Sequence, residues 1–435
     1  MHPIFWALLA LFLFGALLRM DWVYYLAYVV GGVWLYSTWS VRRSLTHVTV
    51  TRRLLDRAFP GQTIEVELEV VNRSRLPVPW LVVEERVPLD LRDLSEYRIA
   101  TSIGGRSTTV HRYTLAAKRR GYYALGPLTL RAGDLFGFSD SRWNETATRH
   151  ITVYPQVLPL PQLGLPSRLP YGPRTTAQHL QEDPARLSGV RAYAAGDSQR
   201  RIHWRASAHT DSLLVKTLQP AIGLDLLVVL NFRREDYGTR FAAAVSEWAA
   251  VIAASVASAA LAQRQPAGLL CNGLDAAVLA DVAALAETTA LAERPPANLG
   301  VPVADVLDAQ RPSAMPRPSA TPGQPPLLAP RSGQAQQMAI LGMLARLKLQ
   351  EGAPSLAERL TTPLASLQWG TTVAVVTPLV DEPLLWVLQQ ARRRGASVVL
   401  LHCAQQAEGP LWAARAERLG IEYHQPEWDK DLQSL

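Results

Sequence analysis

The chain has 435 residues, 48% hydrophobic and 19% charged, with a formal net charge of +7. That is apolar material for two or three cores, which excludes a disordered chain. Only four of the 44 basic residues are lysines (Lys118, Lys216, Lys348, Lys430), and the arginines are spread along the chain instead of interleaving with aromatics on one face, so the charge does not point to nucleic acid.

Residues 4–18 and 22–39 are two uncharged apolar runs separated by Arg19-Met20-Asp21. A helix crossing about 30 Å of hydrocarbon needs roughly 20 residues, about 17 at the least. The second run qualifies and the first nearly does, so a transmembrane helical hairpin is predicted over 1–41. Trp6, Trp22, Tyr24, Tyr36 and Trp39 suit the interface belts. A cleaved signal peptide would need a basic start and a small-residue cleavage site, and neither is written here. Arg42, Arg43, Arg52, Arg53 and Arg57 follow the second run, against Arg19 alone in the turn. The positive-inside rule then places both soluble parts on the cytoplasmic side of a membrane crossed twice.

Thr63–Val71, "TIEVELEVV", alternates aliphatic residues with Glu65, Glu67 and Glu69, the period of a strand with one buried face. Further strands are predicted at 80–86, 108–116, 121–130 and 149–154, and together they suggest an antiparallel β-sandwich over 45–157. "AGDLFGF" at 132–138 reads as a turn.

Residues 158–223 form a junction. Apolar strand-length runs at 224–232, 267–272, 371–378 and 397–404 then alternate with helical stretches at 239–263, 275–293, 335–361, 381–394 and 410–419. Such alternation predicts an α/β parallel-sheet domain over 224–425. Ten prolines between Pro295 and Pro330 mark a segment that cannot build a core, read as a flexible Pro-rich insertion at 295–335. Ligands of such sheets sit outside the carboxyl ends of the strands, here Asn231-Phe232-Arg233, Asn272-Gly273 and Thr377-Pro378. No phosphate-binding glycine loop is present at either required spacing. The first strand ends in Arg233 and Arg234 beside Glu235 and Asp236, where guanidinium groups would repel a cation. Cys271 and Cys403 lie far apart in apolar runs and read as buried thiols of a reducing compartment. No cofactor, no metal and no small-molecule substrate is expected.

The junction holds the densest polar writing in the chain, "GVRAYAAGDSQRRIHWRASAHT" from Gly189 to Thr210. A catalytic reading uses Asp197 and His203 as acid and base of a membrane-associated hydrolase. A structural reading has Gly196-Asp197 turning the chain, Asp197 accepting backbone amides, arginines pairing with carboxylates, and Ile202 and Trp204 anchored in the core. A third reading makes the arginines and Trp204 a partner surface.

Gly189, Val190, Arg191, Tyr193, Gly196, Asp197, Arg200, Ile202 and Trp204, with Lys216 trailing and Arg201 inside the stretch, match a pattern that resembles the bacterial domain-of-unknown-function family fifty-eight. "RRGYYALGPLTLRAGDLFGF" at 119–138 resembles that family's second signature. The resemblance implies a von Willebrand factor A-like α/β domain and a MoxR-type AAA+ ATPase as partner. A-type domains usually hold a metal through D-x-S-x-S after the first strand. The corresponding Asn231, Arg233 and Glu235 all depart, and Thr377 stands near the fourth-strand position, with Asp381 four residues on. The expectation is therefore a membrane-anchored, non-catalytic adaptor with a degenerate A-type domain, serving assembly or maturation of envelope complexes.

Overall fold

The structure is a computed structural model that describes residues 3–18, 21–92, 96–133, 140–145, 148–160, 182–194, 197–210, 212–220, 225–280, 327–404 and 409–426. The chain divides into two compact units, Met1–Gln156 and Val157–Leu435.

The first unit begins with helices α1 (Pro3–Leu18) and α2 (Asp21–Leu45). They touch: the rings of Phe12 and Tyr24 meet edge-on at 5.2 Å, and a side chain at Gly31 would lie 3.7 Å from Leu8. Both helices leave large apolar groups uncovered, among them Phe5, Trp6, Leu13, Leu17, Trp22 and Tyr25. Neither is both long and apolar enough to cross a membrane by a strict reading. α1 has 16 residues, and the tyrosines and tryptophans of α2 dilute its apolar character. Among the described residues the helix that meets both criteria is Ala242–Ala262, which lies mostly buried in the second unit.

Among the described residues ten strands follow: β1 (Val48–Leu54), β2 (Arg57–Ala58), β3 (Thr63–Asn72), β4 (Val78–Arg86), β5 (Glu96–Ile103), β6 (Thr108–Ala116), β7 (Gly121–Leu125), β8 (Leu128–Gly133), β9 (Asp140–Glu145) and β10 (Arg149–Val153). They make sheets in the orders β1-β3-β6, β5-β4-β8-β9 and β2-β10-β7. On β3 the residues Ile64, Val66, Leu68 and Val70 point inward and meet Leu81, Val83, Leu128 and Leu130 of the facing sheet in one core. Each such side chain contributes about 1.5–3 kcal/mol by leaving water. The outward glutamates pair across strands, Arg53 with Glu69 at 3.0 Å and Arg112 with Glu67 at 3.1 Å. The arrangement is sandwich-like. The single strand expected at 121–130 is instead two, because Gly126 takes a φ of 111° and Pro127 has no N–H to give a ladder.

One carboxylate is sealed inside this core. Glu85 accepts from the Tyr113 hydroxyl at 2.5 Å and pairs with Arg52, whose side chain is itself nearly buried. Tyr97 stacks on Tyr113 with ring centres 4.0 Å apart. Burial, followed by the neighbouring Glu85 charge, pushes the Tyr113 hydroxyl far above its ordinary pKa.

The second unit starts with an antiparallel ribbon of β11 (Glu182–Ala192) and β12 (Leu214–Pro220), bridged by the four-residue helix α3 (Trp204–Ser207). The sheet proper holds β13 (Leu226–Leu230), β14 (Ala267–Cys271), β16 (Leu327–Arg331), β18 (Thr372–Thr377), β19 (Ser397–His402) and β20 (Glu422–His424) in the order β16-β14-β13-β18-β19-β20. In chain sequence that is 3-2-1-4-5-6, with the third strand antiparallel and the rest parallel. Two short strands, β15 (Leu274–Asp275) and β17 (Leu347–Lys348), pair beside it. The helices are α4 (Ala242–Ala262), α5 (Gln334–Arg346), α6 (Leu356–Ala365), α7 (Glu382–Arg393) and α8 (Gly409–Arg418). Leu227, Val229, Val373, Val375, Val398 and Leu400 pack against α6 and α7, while the alternate residues Val228, Ala374 and Val399 are buried on the opposite face. Burial on both faces explains why these strands read as unbroken apolar runs.

Two expectations are corrected here. The stretch 335–361 is two helices separated by a turn in which Gly352 has a φ of 67°. The Pro-rich insertion does not extend to 335, because 327–331 is an edge strand and α5 begins at Gln334. Residues 281–326, the centre of the "AGDLFGF" turn and Gly196 lie outside the described residues.

Candidate functional site

The signature stretch folds onto the end of the ribbon. Val190 stands opposite Lys216 and Arg191 opposite Val215, while Ile202 bridges to Val215. Ile202 and Val215 are the buried pair that holds the segment. The Asp197 N–H donates to the Ala194 carbonyl at 3.1 Å. The Asp197 carboxylate accepts both Arg191 nitrogens, at 2.7 and 2.6 Å, and the Ala194 N–H at 2.9 Å. The Arg191 hydrogen bonds, then the Ala194 amide, hold its pKa down at about 2. A carboxylate so held is ionised throughout the neutral range and has no proton to give.

His203 caps α3: its Nδ1 accepts the Ala206 N–H at 3.1 Å. That bond commits Nδ1 as an acceptor and leaves the proton on Nε2. Asp197 and His203 are thus each engaged with local backbone.

Trp204 separates two of the readings: the structural one anchors it in the core and the partner-surface one leaves it outside, and it is 67% exposed. With Val190, Tyr193 and Leu213 it leaves four large apolar side chains uncovered, among the exposed Arg200, Arg201, Arg205 and Lys216. An exposed tryptophan in a segment rich in exposed arginine is the composition of an interface centre.

The strand-end rim is built differently. Asn231 follows β13 and is fully buried. Its Nδ2 donates to Asp236 Oδ2 at 2.8 Å and to Thr377 Oγ1 at 3.0 Å. Its Oδ1 accepts from Asn272 Nδ2 at 2.9 Å and from the Arg233 N–H at 3.2 Å. Two donors and two lone pairs are the whole capacity of a carboxamide, so Asn231 is saturated. Thr377 passes its proton to the Leu379 carbonyl at 2.7 Å. Arg233 spans Glu235 and Asp236, both at 3.3 Å, and Glu235 accepts the Gly352 N–H at 2.7 Å, which with its own backbone amide lowers the Glu235 pKa. Asp381, four residues beyond Thr377, caps α7 by accepting the Leu384 N–H at 2.9 Å.

The sequence brings Asn231, Arg233, Glu235, Asp236 and Thr377 to one rim and gives no sign of Tyr237, whose hydroxyl donates to the Asn231 carbonyl at 2.6 Å. Its position after a strand end has no pattern of its own; only the turn Arg234–Asp236 folds it back. Among the described residues no group of three or more His, Cys, Asp or Glu side chains could hold a metal ion.

A sandwich-like β unit followed by a mostly parallel α/β sheet defines the class of protein. Within it, residues 189–280 match the family model described as "Protein of unknown function DUF58", in support of the resemblance carried by the signature stretch. No curated protein matches the chain. Solved structures similar in part include the CARDB domain of a Pyrococcus furiosus protein, at 19% identity and a TM-score of 0.19, covering 24% of this chain and 91% of that one. A cohesin module from Clostridium perfringens is 14% identical with a TM-score of 0.19, covering 24% and 96%. A beta-glucosidase from Listeria innocua is 10% identical with a TM-score of 0.16, covering 24% and 16%.

Proposed function

We propose that this is a two-span, membrane-anchored adaptor of the bacterial inner membrane, with its soluble units in the cytoplasm and a degenerate A-type domain that binds a MoxR-type AAA+ ATPase during assembly or maturation of envelope complexes. The observation that carries the reading is that Trp204, Val190, Tyr193 and Leu213 are all uncovered in a short segment that also exposes Arg200, Arg201, Arg205 and Lys216. Tryptophan and arginine dominate the energetic centres of protein interfaces, and a folded ribbon presents them with little ordering cost. Three further observations support it. The open sheet in the order 3-2-1-4-5-6 is the doubly wound architecture an A-type domain needs. The saturated Asn231 network with Arg233 at its mouth is a rim adapted to rigidity in place of a cation. The bare apolar faces of α1 and α2 suit lipid.

Site-specific photocrosslinking from Tyr193 in native membranes tests the partner. An AAA+ ATPase is the expected adduct, and Trp204→Ala with Arg200→Ala should reduce it at least tenfold while leaving the melting temperature within about 2 °C, as exposed positions do. Absence of an ATPase adduct overturns the reading. So would a hydrolase activity that is lost in His203→Ala.

A further inference from the structure

Across the carboxyl ends of β18, β19 and β20, under the start of α4, lies a cleft of about 760 Å³ that the adaptor reading does not use. Its volume falls in the range of small-molecule sites, and its position is the crevice where open α/β sheets bind ligands.

The polar groups that face it are nearly all spent within the protein. Trp248 Nε1 donates to the Pro426 carbonyl at 2.8 Å. His402, fully buried at the floor, has Nε2 3.0 Å from the Pro378 carbonyl and Nδ1 2.7 Å from the Tyr423 hydroxyl. Gln425 donates to the Ala404 carbonyl at 3.0 Å. Asp236 is held by Asn231 and Arg233. The remaining wall is apolar, from Phe241, Ala244, Val245, Trp248, Leu379 and Pro378. Phe241 is 63% exposed, so its ring is open to a ligand at the edge of the cleft. At the mouth stands an exposed cation, Arg240, its guanidinium carbon 5.4 Å from the Phe241 ring centre. The first turn of α4 carries no carboxylate to neutralise it.

We infer that this cleft binds a small aromatic carboxylate, the ring lodged between Phe241 and Trp248 and the carboxylate paired with Arg240. Apolar walls with satisfied floor groups select a planar apolar body, because a polar body would leave its own hydrogen bonds unmade. A single guanidinium at the rim selects one anionic end. The site is separate from the signature stretch and its occupancy is independent of the ATPase partner.

The probe pair is 2-naphthoate and its neutral amide, titrated into the detergent-solubilised full chain and followed by ligand-observed NMR and calorimetry. Saturable one-to-one binding of 2-naphthoate is expected, at least threefold tighter than the amide. Ala244→Trp, which adds bulk from an exposed position on the wall, should abolish binding of both probes. Arg240→Gln should weaken the carboxylate at least threefold and leave the amide unchanged. No saturable binding, equal affinity for the two probes, or binding that survives Ala244→Trp in a protein of unchanged melting temperature overturns the assignment.

Discussion

Asp197 keeps its charge because two Arg191 nitrogens and one backbone amide converge on it, and that fixes how the signature turn responds to acid. A carboxylate whose folded pKa is depressed stabilises the fold at every pH above its ordinary value of 3.8. That stabilisation is lost only as pH falls from 3.8 through the folded value of about 2. Between pH 5 and 8 the turn should therefore show no pH dependence from this group. NMR titration of the Asp197 side chain should give a midpoint near 2, and Arg191→Lys, which removes the bidentate fork, should move it back toward 3.8. A midpoint near 4 in the unsubstituted protein would show that the pair does not persist in solution. At this scale the sequence was partly legible. Gly-Asp signals a turn, and a nearby arginine finds the carboxylate. Trp204 stays open between core anchor and partner surface in the sequence, because nothing in one dimension distinguishes a ring that packs from a ring left for a partner.

Elements were legible where one face or both faces are buried. β3 declares itself by aliphatic–glutamate alternation, and β13, β18 and β19 by unbroken apolar runs. β5, "EYRIATSI", went unread because its residues are mostly half-exposed or polar, and it earns strand structure only by pairing with β4. β16 went unread because Pro330 and the proline-rich context argue against a strand, yet an edge position tolerates proline where a central one would not. The buried Arg52–Glu85–Tyr113 group was also invisible, since its members lie on β1, β4 and β6 and meet only when the sheets close. Breaking it should be costly. Arg52→Met strands the Glu85 carboxylate and is expected to lower stability by about 3–5 kcal/mol, whereas Arg52→Met with Glu85→Leu and Tyr113→Phe should recover most of the loss. Urea unfolding of the single and combined variants measures the difference, and equal losses would mean the charge is not what the core depends on.

At the scale of the whole molecule, α1 and α2 leave tryptophan, phenylalanine and leucine side chains bare along their lengths, which water does not favour. The full chain should stay in the membrane pellet through alkaline carbonate and high salt and leave it only in detergent; release by carbonate would remove the anchor from the proposed function. The two units carry separate cores, divided at Gln156. The pairing of β14 with β16 has a further consequence. The chain leaves the sheet at Cys271 and returns at Leu327 to bind the neighbouring edge, so both ends of the excursion are pinned by registered hydrogen bonds. Loop-closure entropy grows so slowly that doubling such an excursion costs only about 0.6 kcal/mol. A reporter protein spliced between positions 281 and 326 is therefore expected to leave the pairing of β14 with β16 intact and the urea stability of the chain within about 1 kcal/mol.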